Sequence, residues 1–399
     1  MGLKTLRHLL CMTVLFLFVV ACSDYNEAST IKNSTEGQLD KKALADAAFL
    51  VNYSNYASVY TPDRSTKFAA ISSNGKVLDV TPWLSGKGAI RMAEDQNNGY
   101  ISFNRGTARY QVNLKSGAIQ NLNPPKYNQS ISFAMDSSTQ SNYVVYDYAQ
   151  SESKSQEMIY FNKKDLKKKV LKLPKGTGFL NSCLLTSNPK VNYCATSHSE
   201  MRDYLHKIDL KNGKVLQTMK LPHLKHRSLV TGGVGNLKIG ELNGKLYFPY
   251  EHQFDKPYKS ELIVVDPKKM KTKKIMEVPQ KNFTPKSLFT YKGVLHLWSE
   301  YGFYTVNQDG KFNKIEMKFS KQHKKFLKKN DGMIREVRYV GDKAFVLIEY
   351  MDVSHETGEI DEVDLKTGKI IRKTVLDFKE SGEMMGKLSF LILHKKNKS

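Results

Sequence analysis

After about residue 46, apolar and polar positions alternate with period two, and one phrase recurs: a strand, a short turn rich in Lys, Gly, Asp and Asn, and a second strand. The copies read KFAAISSNGKVLDV, ARYQVNLKSGAIQNL, IYFNKKDLKKKVLKL, HKIDLKNGKVLQTMKL, ELIVVDPKKMKTKKIMEV, FYTVNQDGKFNKIEM and EIDEVDLKTGKIIRKTVL. Their turns fall near Gly75, Gly117, Lys168, Gly213, Thr272, Gly310 and Gly368, about 40 to 60 residues apart. Alternation, enrichment in Thr, Val, Ile and Tyr, and glycine turns predict antiparallel strands, with no long amphipathic helix. Between the phrases, LKIGELNGKLYFPYEHQ, TYKGVLHLWSEYG and RYVGDKAFVLIEYMD each predict strand, tight turn, strand, so a unit has four strands, A to D. The fold class predicted over residues 47–396 is therefore all-β, a β-propeller of seven four-stranded blades. A pair of face-packed β-sheets is the rival. One strand, GKLSFLILHKK at 386–396, follows the seventh unit and either seals the first blade or covers an edge.

The segments IDLKNGKV (208–215) and VDLKTGKI (363–370) carry a resemblance to the YVTN and quinoprotein-like propeller repeats, in which a strand ending in Val-Asp runs into a Gly-Lys turn. The resemblance covers about residues 48 to 377, although the third and fifth copies lack the turn glycine. It implies the fold and no particular activity.

The N-terminus speaks to location. Lys4 and Arg7 precede an apolar run from Leu9 to Val20, closed by Val19-Val20-Ala21-Cys22. This resembles a bacterial lipoprotein signal, which implies removal of residues 1–21, lipidation of Cys22 and a chain anchored on the extracytoplasmic side of the cell membrane. The run is short of the roughly 20 residues of a comfortable membrane span. Residues 22–46 are polar and read as a flexible tether between lipid and propeller. Apart from Cys11 and Cys22, the cysteines are Cys183 and Cys194, placed symmetrically about the Asn188-Pro189 turn. If the flanking segments pair as a hairpin, the two sulfurs face each other and oxidise outside the cytoplasm; two packed thiols are the alternative.

Charge then narrows the partners. The formal charge of +23 comes mostly from lysine, a diffuse point charge, whereas nucleic-acid readers favour arginine; no nucleic-acid partner is expected. Much of the lysine falls in strand C–D turns, at 163–169, 210–214, 266–274 and 364–369, which places it on one pole of a propeller. Such a pole suits anionic lipid or wall polymer, or is simply a solvated face.

The opposite pole receives the B–C and D–A connections. There strand B carries acids after aromatics: Asp147 in YVVYD, Glu251 in YFPYE, Glu349 in FVLIE, with Glu300 one place late and His198 and Glu200 in ATSHSE. His252, Asp255, Asp352, His355 and Glu359 extend the set along the B–C connections. Carboxylate oxygens gathered at a propeller mouth can bind a divalent cation such as calcium, or a cationic or sugar-like ligand; alternatively they cap loop backbone. No HExxH or GxSxG motif is present, and Gly232-Gly233-Val234-Gly235 reads as a D–A loop. Trp83 and Trp298 are the only tryptophans and no adjacent cysteine pair exists, which argues against a quinone cofactor. No organic cofactor is expected. The reading is a non-catalytic scaffold or binding module of the cell envelope, with an envelope protein among its expected partners. An envelope hydrolase or lyase using carboxylates and a metal at the mouth is the alternative.

Overall fold

A computed structural model describes residues 35–55, 66–84, 87–94, 98–105, 109–121, 136–137, 141–150, 156–164, 168–177, 179–198, 202–223, 227–229, 239–252, 259–299, 302–307, 309–329, 332–350, 358–376, 378 and 385–393. The signal segment and Cys22 lie outside them.

Strand β1 (Thr35–Gln38) and helix α1 (Lys41–Asp46) lead into β2 (Phe49–Asn55), β3 (Thr66–Ile71) and β4 (Val77–Val80) of blade 1. Blade 2 is β5 (Lys87–Glu94), β6 (Asn98–Arg105), β7 (Arg109–Asn113) and β8 (Ala118–Asn121), and blade 3 is β9 (Asp136–Ser137), β10 (Tyr143–Gln150), β11 (Gln156–Asn162) and β12 (Lys168–Leu173). Blade 4 comprises β13 (Phe179–Leu184), β14 (Asn192–His198), β15 (Arg202–Asp209) and β16 (Lys214–Lys220). In blade 5, β17 (Arg227–Leu229) and β18 (Gly240–Leu242) both pair with β19 (Lys245–His252), followed by β20 (Ser260–Asp266) and β21 (Lys271–Glu277). Blade 6 is β22 (Ser287–Tyr291), β23 (Val294–Ser299), β24 (Gly302–Val306) and β25 (Phe312–Glu316). After helix α2 (Lys321–Lys329) comes blade 7, β26 (Gly332–Val340), β27 (Lys343–Tyr350), β28 (Gly358–Asp364) and β29 (Ile370–Leu376), and last β30 (Met385–Ile392).

Every pairing is antiparallel, and β30 pairs with β2 as the fourth strand of blade 1, so the two ends of the propeller meet in one sheet and the ring of seven blades closes. The fold is a β-propeller, and the choice the sequence left open at residues 386–396 resolves to closure rather than edge cover. Hydrophobic cores lie between blades: Leu180, Cys183 and Cys194 of blade 4 pack with Met158, Tyr160 and Leu171 of blade 3, and Trp298 and Phe303 of blade 6 pack with Ile334, Val346 and Val363 of blade 7. Hence C strands such as β20 are buried on both faces, while the outer β16 and β21 are largely exposed and carry several lysines.

The recurrent Asp…Gly-Lys phrase now has a physical reason. The acid closing strand C accepts turn amides: Asp209 from Asn212 N at 3.0 Å, Asp364 from Thr367 N at 2.7 Å, and Asn113 plays the same part for Lys115 and Ser116. Gly368 then takes φ 69°, and a Cβ there would stand 2.1 Å from the Glu316 carbonyl oxygen, because the turn packs against blade 6. Lys318 N donates to Gly368 O at 2.9 Å across the same contact.

One expectation changes. Residues 35–46, read as tether, are folded onto the propeller: β1 joins the outer edge of blade 2 through β8, and Leu39, Ala43 and Leu44 are buried in the core of blades 1 and 2. Asp40 caps α1 by accepting from Ala43 N at 2.7 Å. Gly232–Gly235, read as a D–A loop, lie outside the described residues; on either side of them β17 and β18 both pair with β19.

Candidate functional site

The strand order sends A–B and C–D turns to one pole and B–C and D–A connections to the other. At the first pole the C–D turns present exposed Lys164, Lys211, Lys214, Lys268, Lys269, Lys366 and Lys369. One of their neighbours ties blades together, since Lys169 Nζ donates to Lys211 O at 3.1 Å.

At the second pole the backbone puts Asp147 on β10, His198 at the end of β14, and Glu251 and His252 at the end of β19, all on strand B; the side chains of these four lie outside what is described. Glu200, Asp255, Glu300, Asp352 and His355 lie outside the described residues altogether. Among the strand-B members of the set, Glu349 is the one whose side chain is described. It is 1% exposed and accepts from Arg335 Nε, so it spends its charge on the neighbouring strand within blade 7.

Cys183 and Cys194 stand directly opposite in the β13–β14 register and are joined by a disulfide, with Cα atoms 4.1 Å apart. The bridge is buried against Met158 of blade 3.

A cavity of about 570 Å³ opens at the second pole beside blade 6. The β24–β25 hairpin, the 279–284 connection and α2 frame it. Phe283, Phe303 and Met317 give it apolar walls, and Lys314, Lys324 and Lys328 give it a cationic rim. Lys314 pairs with Glu316 at 2.7 Å, which holds the carboxyl below and the ammonium above its ordinary value. Burial raises the Tyr304 phenol in the cavity wall, with Lys314 opposing, so the hydroxyl there is a neutral hydrogen-bonding group.

Helix α2 also serves a second cluster, on the blade 7 side. His323 Nε2 lies 2.8 Å from Glu359 Oε1, and Tyr350 OH donates to Glu359 Oε2 at 2.5 Å. Lys373 Nζ is 2.8 Å from His323 Nδ1 and 3.1 Å from Glu359 Oε2. Asp361, on the same face of β28 as Glu359, completes a set whose nitrogen and carboxylate donor atoms all lie within 4.8 Å of one another. Among the described residues this is the set that could hold a metal. Burial, and then the Glu359 charge, push the Asp361 carboxyl well above the usual carboxylate range, with Lys373 opposing.

Sequence reasoning overlooked α2 and Asp361. The helix is short, and KQHKKFLKK reads first as a lysine-rich loop; its signal was Ser320, whose Oγ accepts from His323 N at 3.1 Å. Asp361 was hidden in the alternation of EIDEVD. Two acids at alternate places, 359 and 361, on a strand that is buried on both faces were the available clue.

No family model matches the chain, and no curated protein matches it. Among solved structures it is similar to a quinoprotein alcohol dehydrogenase-like protein of Bacteroides thetaiotaomicron, with TM-score 0.49 and 10% identity over 88% of this chain and 79% of that one. It is also similar to apocarotenoid oxygenase of Synechocystis, with TM-score 0.49 and 10% identity over 91% and 97%. Apo AztD of Citrobacter koseri gives 0.43 and 12% over 86% and 98%. Likenesses of this order say nothing of activity, and the fold stands on the strand pairing itself.

Proposed function

We propose that this chain is an extracytoplasmic lipoprotein, a β-propeller held at a bacterial membrane by lipid on Cys22, that works as a binding module of the cell envelope. The lipobox-like Val19-Val20-Ala21-Cys22 supports the anchor. The Cys183–Cys194 bridge supports an oxidising compartment.

The observation that carries the binding role is the cavity at the second pole. Apolar walls within a lysine rim suit a small anionic ligand with an apolar part, since the walls bury carbon while the ammonium groups meet the charge. The lysine-rich C–D turns of the opposite pole would face anionic lipid or wall polymer, within a screening length of about 8–10 Å at ordinary salt.

A dansylated fatty acid tests the cavity. Saturable fluorescence binding is expected for the unaltered chain and its loss for Lys324→Glu combined with Lys328→Glu; indifference to that double charge reversal rejects the reading. Cys22→Ser should move the chain from the membrane to the soluble fraction, and an unchanged partition would remove the anchor. For the lysine pole, sedimentation with phosphatidylglycerol vesicles should fall steeply with salt, while phosphatidylcholine vesicles should bind little.

A further inference from the structure

We propose that His323, Glu359 and Asp361 form a binding site for one divalent transition-metal ion, of the class that zinc represents. The site is separate from the cavity and does not depend on the ligand proposed for it.

Asp361 is the starting point. Its side chain is fully buried between blades 6 and 7, and neither carboxylate oxygen has a hydrogen-bond partner. Buried polar groups are nearly always satisfied, and an unpartnered carboxylate is among the costliest exceptions. Asp361 offers a carboxylate oxygen to a group that already contains an imidazole nitrogen and an oxygen of a second carboxylate, all within 4.8 Å of one another. One nitrogen and two oxygen donors match three-coordinate protein ligation of zinc, with a water as fourth ligand. Bonds of about 2.0–2.2 Å at tetrahedral angles set donors roughly 3.3–3.6 Å apart, so closure asks for about 1 Å of side-chain adjustment. Calcium fits less well, because it takes 6–8 oxygen ligands.

The surroundings are those of a held ligand set. Tyr350 OH fixes Glu359 at 2.5 Å, and the His323 ring sits between Phe319, centroid 5.2 Å away, and Phe326, stacked at 6.0 Å. A cation is already drawn to the spot: Lys373 places its ammonium against both His323 and Glu359. That side chain is 35% exposed, so it can swing outward and give an ion access. On this account Lys373 competes with the metal, which separates a metal site from a purely structural ion cluster.

The full, tag-free chain is stripped with a chelator, dialysed against zinc and measured for metal content and by competition calorimetry. One zinc per chain is expected, with affinity weakened at least ~10-fold in Asp361→Asn and in His323→Gln and strengthened in Lys373→Met. Cobalt substitution should give visible d–d bands that both ligand variants lose. If Asp361→Asn fails to fold, His323→Gln on the helix decides. Absence of zinc from the unaltered chain overturns the proposal. So does zinc content equal in the unaltered chain and both ligand variants, or binding weakened by Lys373→Met.

Discussion

Glu336, on the innermost strand of blade 7, is where the closing seam of the ring can be opened by one substitution. Its carboxylate accepts from Ser389 Oγ at 2.8 Å and from Phe390 N at 3.1 Å, both on β30. It also pairs with Arg338, which reaches the Met92 carbonyl of blade 2. Three blades thus share one buried polar junction. Glu336→Ala removes a counter-charge from Arg338 and an acceptor from β30, and breaking a buried ion pair costs about 3–5 kcal/mol. With an unfolding entropy of about 2.1 cal/mol/K per residue over roughly 360 residues from 35 to 393, that loss lowers Tm by about 4–7 °C. Glu336→Gln keeps the shape and loses the charge, for about 1.5–3 kcal/mol and roughly half the shift. Glu316→Gln is the control: its pair with Lys314 is exposed and contributes no more than about 1 kcal/mol. Calorimetric melts at neutral pH read all three. If Glu336→Ala melts within about 1 °C of the unaltered protein, the carboxylate does not join β26 to β30 and the seam is held by other contacts.

Three other outcomes follow from the geometry. His206 is fully buried between Thr196 Oγ1 at 3.0 Å and Thr218 Oγ1 at 2.9 Å, and burial lowers its pKa from 6.5 to about 4. Because the folded pKa is the lower one, this stability is present above pH 6.5 and is lost as pH falls from 6.5 toward 4, up to about 3 kcal/mol; His206→Gln should flatten that part of the acid limb in urea melts, and an unchanged limb contradicts it. Replacing both Cys183 and Cys194 by Ala opens a loop of sequence separation 11, a cost of about 2.8 kcal/mol on the chain-entropy estimate. Native, unreduced protein should resist alkylation at both positions, and labelling of either contradicts the bridge. Gly368→Ala meets both the left-handed backbone and the Glu316 carbonyl, so it should cost well over the ~1 kcal/mol expected for Gly176→Ala, whose φ is 73° but whose Cβ would meet nothing within 4 Å. Equal melts for the two would remove the inter-blade contact.

Much of the architecture was legible because it is written locally and repeatedly. Each C–D phrase contains its own turn and a polar side chain that caps it, an acid at Asp209, Asp266 and Asp364 and an amide at Asn113, Asn162 and Asn307, so seven copies could be counted without knowing what packs on what. The closure was legible only as an alternative, since nothing in GKLSFLILHKK names Phe49–Asn55 as its partner. Likewise β1 depends on a distant edge, that of β8, and its polar TEGQ looks like tether. For the site, the cysteines were readable from their symmetry about a turn. The strand-B acids were readable as a series, but Glu349 shows how such an acid can be consumed by a neighbour, Arg335, that strand pairing alone brings close. Asp361 and His323 are 38 positions apart (361 − 323), on different elements. Only the packing of α2 over blade 7 brings them together.

The functional proposals share a premise: the blades form one closed disc, so that equivalent loops gather at two poles. Hydrogen exchange on the amides of β30 tests this most directly. Phe390, Leu391 and Ile392 are paired with Val51, Leu50 and Phe49, so these amides should be protected to the level of the central strands of blade 7, opening only with the whole ring. Exchange of β30 at the rate of free chain, while β26 and β27 stay protected, would contradict a closed ring.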